Sequence, residues 1–96
     1  MRLPLRIELT RNAQKDLRKV PDYIGQKLAK WVRAVTDQGL QSVRKIPGWH
    51  DEPLKGDRQG QRSIRLSDSY RAIYKEFEVR GVLELIEIQE VNKHEY

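Results

Sequence analysis

RSIRLSDSYRAIYKEF, residues 62–77, decides the architecture of this chain. Ile64 and Leu66 fall on one side of an extended segment and Arg65 on the other, the period-2 alternation of a half-buried strand. Ser67, Asp68 and Ser69 follow; short polar side chains of this kind bond to nearby backbone and favour a reversal. Tyr70 to Phe77 then resumes an extended segment with the aromatic content that suits a strand. The whole stretch reads as a β-hairpin.

Working outward, Gly81 introduces VLELIEI (residues 82–88), whose near-continuous apolar character predicts a strand in the interior of a sheet. On the other side, residues 41–61 mix Pro, Gly and charge around a helical turn at Val43 and Ile46, and read mainly as a connecting loop. Ile24, Leu28, Trp31, Val32 and Val35 make a helical stripe that starts after Pro21 and stops at Gly39. Ala13, Leu17 and Val20 mark a shorter helix, capped by Thr10 and ended before Pro21. Leu3, Leu5, Ile7 and Leu9 alternate as a first strand. The order β-α-α-β-β-β predicts an α+β fold, with two N-terminal helices packed on one face of a mostly antiparallel sheet.

A chain of 96 residues with 38% hydrophobic and 34% charged residues makes a single domain, residues 1–96. A domain of this size buries about 60–70% of the surface of its unfolded chain. There is no cysteine, so neither a disulfide framework nor a thiolate metal cage can form. The N-terminal residues hold no apolar run of the length a signal peptide or membrane span needs, so a soluble, cytoplasmic protein with no membrane contact is expected. The net charge of +5 is unevenly placed: residues 1–50 hold 11 Lys/Arg against 4 Asp/Glu, whereas residues 76–96 hold 2 against 6. A basic body thus carries an acidic final strand.

Between these lies the densest cationic segment, with Lys55, Arg58, Arg62, Arg65, Arg71 and Lys75 in 21 residues of loop and hairpin. Arg65, with Arg62 beside it, is expected to project from the sheet face that the helices leave open, where strand arginines are preorganised for phosphate. Glu52 precedes Pro53 within this basic region and can form a salt bridge or accept a proton. His50 and Trp49 share its loop, and His50 ranks below Glu52 as a candidate for chemistry. The other histidine, His94, lies two residues from a terminal tyrosine, Tyr96. An imidazole exchanges protons near neutral pH, and a phenol ring can stack on a base. Two histidines without helical spacing, and acidic residues that alternate faces, give no metal site, and no cofactor motif is present.

EPLKG at Glu52–Gly56, the GQRSIRL and YRAIY strands and the terminal NKHEY, in this order, resemble the RelE/ParE superfamily of toxins from bacterial type II toxin–antitoxin systems. Within it the chain looks most similar to the RelE-type mRNA interferases, which cut messenger RNA in the ribosomal A site. The resemblance implies a metal-independent cleavage in which the RNA 2′-hydroxyl attacks the adjacent phosphate. Carried over by position, it implies Glu52 and His94 as the proton-transfer pair, with the division between base and acid open, and Arg65 as phosphate stabiliser. Lys55, Arg71 and Tyr96 become substrate-binding residues, and Arg58 and Arg62 join them from the basic set read above. It implies a cognate antitoxin as partner, with DNA contacted only through that antitoxin. Two alternatives stay open: a ParE-like inhibitor of DNA gyrase, and a non-catalytic RNA-binding module.

Overall fold

The computed structural model describes residues 5–93. Strand β1 (Arg6–Leu9) is followed by helices α1 (Arg11–Leu17), α2 (Asp22–Gln38) and α3 (Leu40–Arg44). A 3₁₀ turn at Pro47–Trp49 leads into the two-residue strand β2 (Glu52–Pro53), and a second at Gly56–Arg58 leads to β3 (Gln61–Arg65). β4 (Tyr70–Val79) and β5 (Val82–Lys93) complete one sheet in the order β1-β5-β4-β3-β2. Only the β1–β5 pair is parallel. The fold is α+β, as the sequence pattern predicts, with one helix more and one short strand more than that pattern contains. Both extra elements fall in residues 41–61 or beside them, and at five and two residues they are too short to impose a period on the sequence.

Local chemistry sets the ends of the elements. The Thr10 hydroxyl accepts the Ala13 amide at 3.0 Å, while the Thr10 amide donates to the Ile88 carbonyl at 3.0 Å, so one residue both closes the parallel strand pair and caps α1. In the β3–β4 connection the Ser67 hydroxyl accepts the amides of Ser69 and Tyr70 at 3.2 and 3.1 Å, the side-chain-to-backbone bonding that the serines predict. β4 and β5 are joined by Arg80 and Gly81, both left-handed with φ of 53° and 78°. That is the backbone of a two-residue hairpin whose twist matches its strands.

The helices cover one sheet face. Ile24, Leu28, Trp31 and Val35 of α2, with Leu40 and Val43 of α3, pack on Ile64, Leu66, Ala72, Tyr74, Ile86, Ile88 and Val91. The Trp31 and Tyr74 rings lie 5.1 Å apart at 46°, a contact of the kind that adds about 0.5–1.5 kcal/mol to area burial. Strand alternation sends Gln61, Ser63, Arg65, Arg71, Ile73 and Lys75 to the opposite face. Among the described residues no helix is long and apolar enough to cross a membrane.

Candidate functional site

The face without helices carries an open cleft at the β2–β3–β4 edge. Its lining includes His50, Glu52, Arg65, Asp68 and Arg71. The sheet register fixes this grouping: Glu52 is paired with Ser63, two residues along β3 from Arg65, and Arg65 is paired with Arg71. Residues diagonal across a strand pair are separated by about 7–8 Å, a span that one phosphodiester unit can bridge. Arg65 and Arg71 stand directly opposite each other, and neither has a salt bridge among the described residues. Arg71 donates a long hydrogen bond of 3.4 Å from Nε to Asn92 Oδ1, and Arg65 is exposed. Like charges directly opposed destabilise a strand pair, so this arrangement favours an incoming anion.

On the helix side of the same strands the charges are held in direct ion pairs. The Asp51 side chain is 1% exposed and accepts Arg62 Nε at 2.6 Å and the Tyr74 hydroxyl at 2.5 Å. Arg44 donates through Nη2 to the Tyr74 hydroxyl at 3.2 Å and to Glu76, and its Nε lies 3.8 Å from Asp51 Oδ2, too far for a hydrogen bond. Two arginines thus face two carboxylates, and the cluster, in which only the Asp51 side chain is fully buried, is neutral. Burial, followed by the bond to the Asp51 carboxylate, pushes the Tyr74 hydroxyl well above its ordinary pKa and keeps it a donor. Burial works against the Arg44 charge, but hydrogen bonding to Tyr74 and Glu76 outweighs it and the pKa is raised.

The candidates from the sequence divide among these settings. Glu52, Arg65 and Arg71 meet at the cleft, as does His50. Arg62 does not project from the open face as expected: it shares the parity of Ile64, points to the helix side and is held by Asp51. Arg58 is bound to Gln61 through Nε at 2.8 Å and to Glu90 through Nη2, so its charge is already paired. Lys55 is exposed in the loop and does not line the cleft. His94 and Tyr96 lie outside the described residues. β5 ends with Lys93 paired to Tyr70, itself a cleft residue. Asp51, Arg44 and Tyr74 are absent from the candidate set. The signal for them is the phenol of Tyr74, which shares the core-facing parity of Ala72 and needs a buried partner. Among the described residues no group of three His, Cys, Asp or Glu could hold a metal ion.

Helices on one face of a mostly antiparallel sheet in this order define the class of small proteins with the RelE/ParE fold. Residues 7–95 match the family described as the ParE toxin of type II toxin-antitoxin system, parDE, and the chain belongs to that family. It is a toxin of a type II toxin–antitoxin system. No curated protein sequence matches it. Among solved structures it is similar to YafQ from E. coli strain BL21(DE3), with a TM-score of 0.73 at 17% identity over 94% of this chain and 93% of that one. It is also similar to the YoeB/ParE toxin from Agrobacterium tumefaciens, with a TM-score of 0.68 at 18% identity over 95% and 100%. A chain of the E. coli DinJ-YafQ toxin-antitoxin complex gives a TM-score of 0.73 at 18% identity over 96% and 94%. At such identities the likeness is one of fold.

Proposed function

We propose that the chain is an mRNA interferase: a metal-independent, ribosome-dependent endoribonuclease that cuts messenger RNA in the ribosomal A site and so stops translation. The observation that carries this reading is the pair Arg65 and Arg71, opposed and without a salt bridge among the described residues, beside the Glu52 carboxylate in one open cleft. The reaction moves two protons and one phosphorus bond. A base takes the proton of the 2′-hydroxyl, the 2′-oxygen bonds to phosphorus, and the bond to the 5′-oxygen breaks as an acid protonates that oxygen. The products are a 2′,3′-cyclic phosphate and a free 5′-hydroxyl. Glu52 and His94 form the proton pair, and Arg65, with Arg71 beside it, meets the charge of the pentavalent phosphate. Each positioned proton transfer contributes about 10²–10⁴ in rate and each preorganised donor at developing charge about 2.7–4 kcal/mol. Lys55 serves as a flanking phosphate contact and Tyr96 as a base-stacking ring.

The resemblance to RelE-type interferases supports this reading, and the toxin family supports a cognate antitoxin as the partner that silences it in the cytoplasm. The similar chain in the DinJ-YafQ complex is seen with its antitoxin, which agrees. A second reading has its own support, because the family matched carries the ParE description. Under that reading the toxin inhibits DNA gyrase and cuts nothing. Primer extension on a translated messenger with EDTA present separates the two. Cuts that persist under chelation and vanish with Arg65→Ala and His94→Ala are expected. Intact messenger in growth-arrested cells, together with lost supercoiling by gyrase, would replace the interferase reading with the second one.

A further inference from the structure

His50, Asp51 and Glu52 are consecutive, yet their side chains serve opposite faces of the sheet. His50 and Glu52 line the open cleft, while Asp51 passes inward to Arg62 and Tyr74. Before His50 the loop is anchored by Trp49, which is buried in the core, and after it by the short β2–β3 pairing. β2 is two residues long, and the next backbone bond runs from the Leu54 amide to the Gln61 carbonyl at 2.9 Å. A strand so short specifies its register weakly, and a slip of one residue would turn Glu52 inward and Asp51 toward the cleft. His50 sits in the left-handed region with φ of 50°, a conformation that persists in a non-glycine residue only where the surroundings impose it.

We propose that Asp51 is a positioning residue: its buried carboxylate, gripped by Arg62 and Tyr74, pins the register of β2 and so holds Glu52 and His50 at the cleft beside Arg65. The grip is suited to the task. Both carboxylate oxygens are engaged from β3 and β4, the two strands that carry Arg65 and Arg71. Loop and arginines are therefore referenced to the same rigid backbone, the condition for holding a reacting pair in place. The catalytic consequence rests on the interferase reading; the structural one does not.

The experiment uses the full chain and two variants, Tyr74→Phe and Asp51→Asn, each of which loosens the grip while keeping side-chain volume. Amide hydrogen exchange is followed at residues 50–54 and along the β4–β5 ladder. The expected result is exchange about tenfold or more faster at residues 50–54, with the ladder amides of Ile73 and Ile88 still protected. In the cleavage assay kcat falls by about tenfold to 10²-fold with KM within about twofold. In a Glu52→Gln background the same variants cost at most about twofold more, because the proton-transfer group they position has already gone. Faster exchange spread equally over loop and ladder would make Asp51 a general stabiliser and overturn the proposal. So would a rate loss as large in the Glu52→Gln background as in the parent chain. If the parent chain cuts no RNA, the interferase reading fails while the exchange pattern alone decides the role of Asp51.

Discussion

Arg62 and Arg65 lie three residues apart on β3, and the odd spacing sends them to opposite faces of one sheet. Arg62 turns toward the helices, where a carboxylate that is 1% exposed accepts its Nε at 2.6 Å. Arg65 turns outward, directly opposite Arg71, with no salt bridge among the described residues. One residue type on one strand therefore does two jobs, and the face decides which. Behind the sheet, charge is neutralised and buried, and its value is a fixed geometry. In front of it, two arginines stand side by side at a cleft that the Glu52 and Asp68 carboxylates also line, and their value is the ligand they can hold.

The contrast breaks most visibly at Asp51. Asp51→Ala leaves Arg62 and Arg44, whose side chains are 22% and 20% exposed, without their shared carboxylate; partial access to water brings the cost below that of a fully buried pair, to about 1–3 kcal/mol. Urea unfolding should show it as a large fall in midpoint. A loss under about 1 kcal/mol would mean that water reaches the cluster and that the two faces differ less than their geometry indicates.

Arg65→Ala should do the reverse. Cleavage falls by about 10²–10³-fold, the effect of removing one preorganised donor at developing charge, while the urea midpoint hardly moves. Arg62→Ala, three residues away, should instead lower the midpoint. Equal loss of stability in both variants would remove the distinction between the faces.

A smaller effect isolates the hydroxyl at the centre of the buried cluster. Burial and the bond to Asp51 raise the folded pKa of Tyr74 above its ordinary value of 10.0, so the native state holds this proton more tightly than the unfolded chain does. The stabilisation is complete below pH 10. Above it the unfolded state ionises first, and stability declines by about 1.4 kcal/mol per pH unit. The difference between the parent chain and Tyr74→Phe, followed by urea unfolding from neutral to strongly alkaline pH, should shrink above pH 10. A constant difference would mean that Tyr74 titrates alike in both states.

The sequence carried much of this, unevenly. The hairpin, the α2 stripe and the interior strand β5 were legible because each repeats its period over enough residues to be counted. Glu52, Arg65 and Arg71 were legible as candidates by residue type and resemblance, but their meeting at one cleft depends on the β2–β3 register, which the sequence did not show. Arg62 was legible as well, since its parity with Ile64 places it on the core face; its charge suggested the surface more strongly than its position suggested the core. Asp51 was not legible. Its meaning depends on contacts with Arg44, Arg62 and Tyr74, at sequence separations that no local pattern spans. Of α3 only a helical turn at Val43 was legible, and β2 escaped altogether, both being too short to repeat a pattern.

The smallest effect tests the open face by itself. If Arg65 and Arg71 repel across β3 and β4, Arg65→Gln should raise stability at low salt, by about 0.2–1 kcal/mol, the range for a cross-strand pair. The gain should fade as salt screens the parent chain, because both arginines face solvent. Inorganic phosphate should raise the midpoint of the parent chain and not that of the variant, since an anion seated between the arginines supplies what the glutamine removes. Lower stability in Arg65→Gln at every salt concentration would show that Arg65 has a structural partner, and the opposed pair would then lose its standing as a phosphate site.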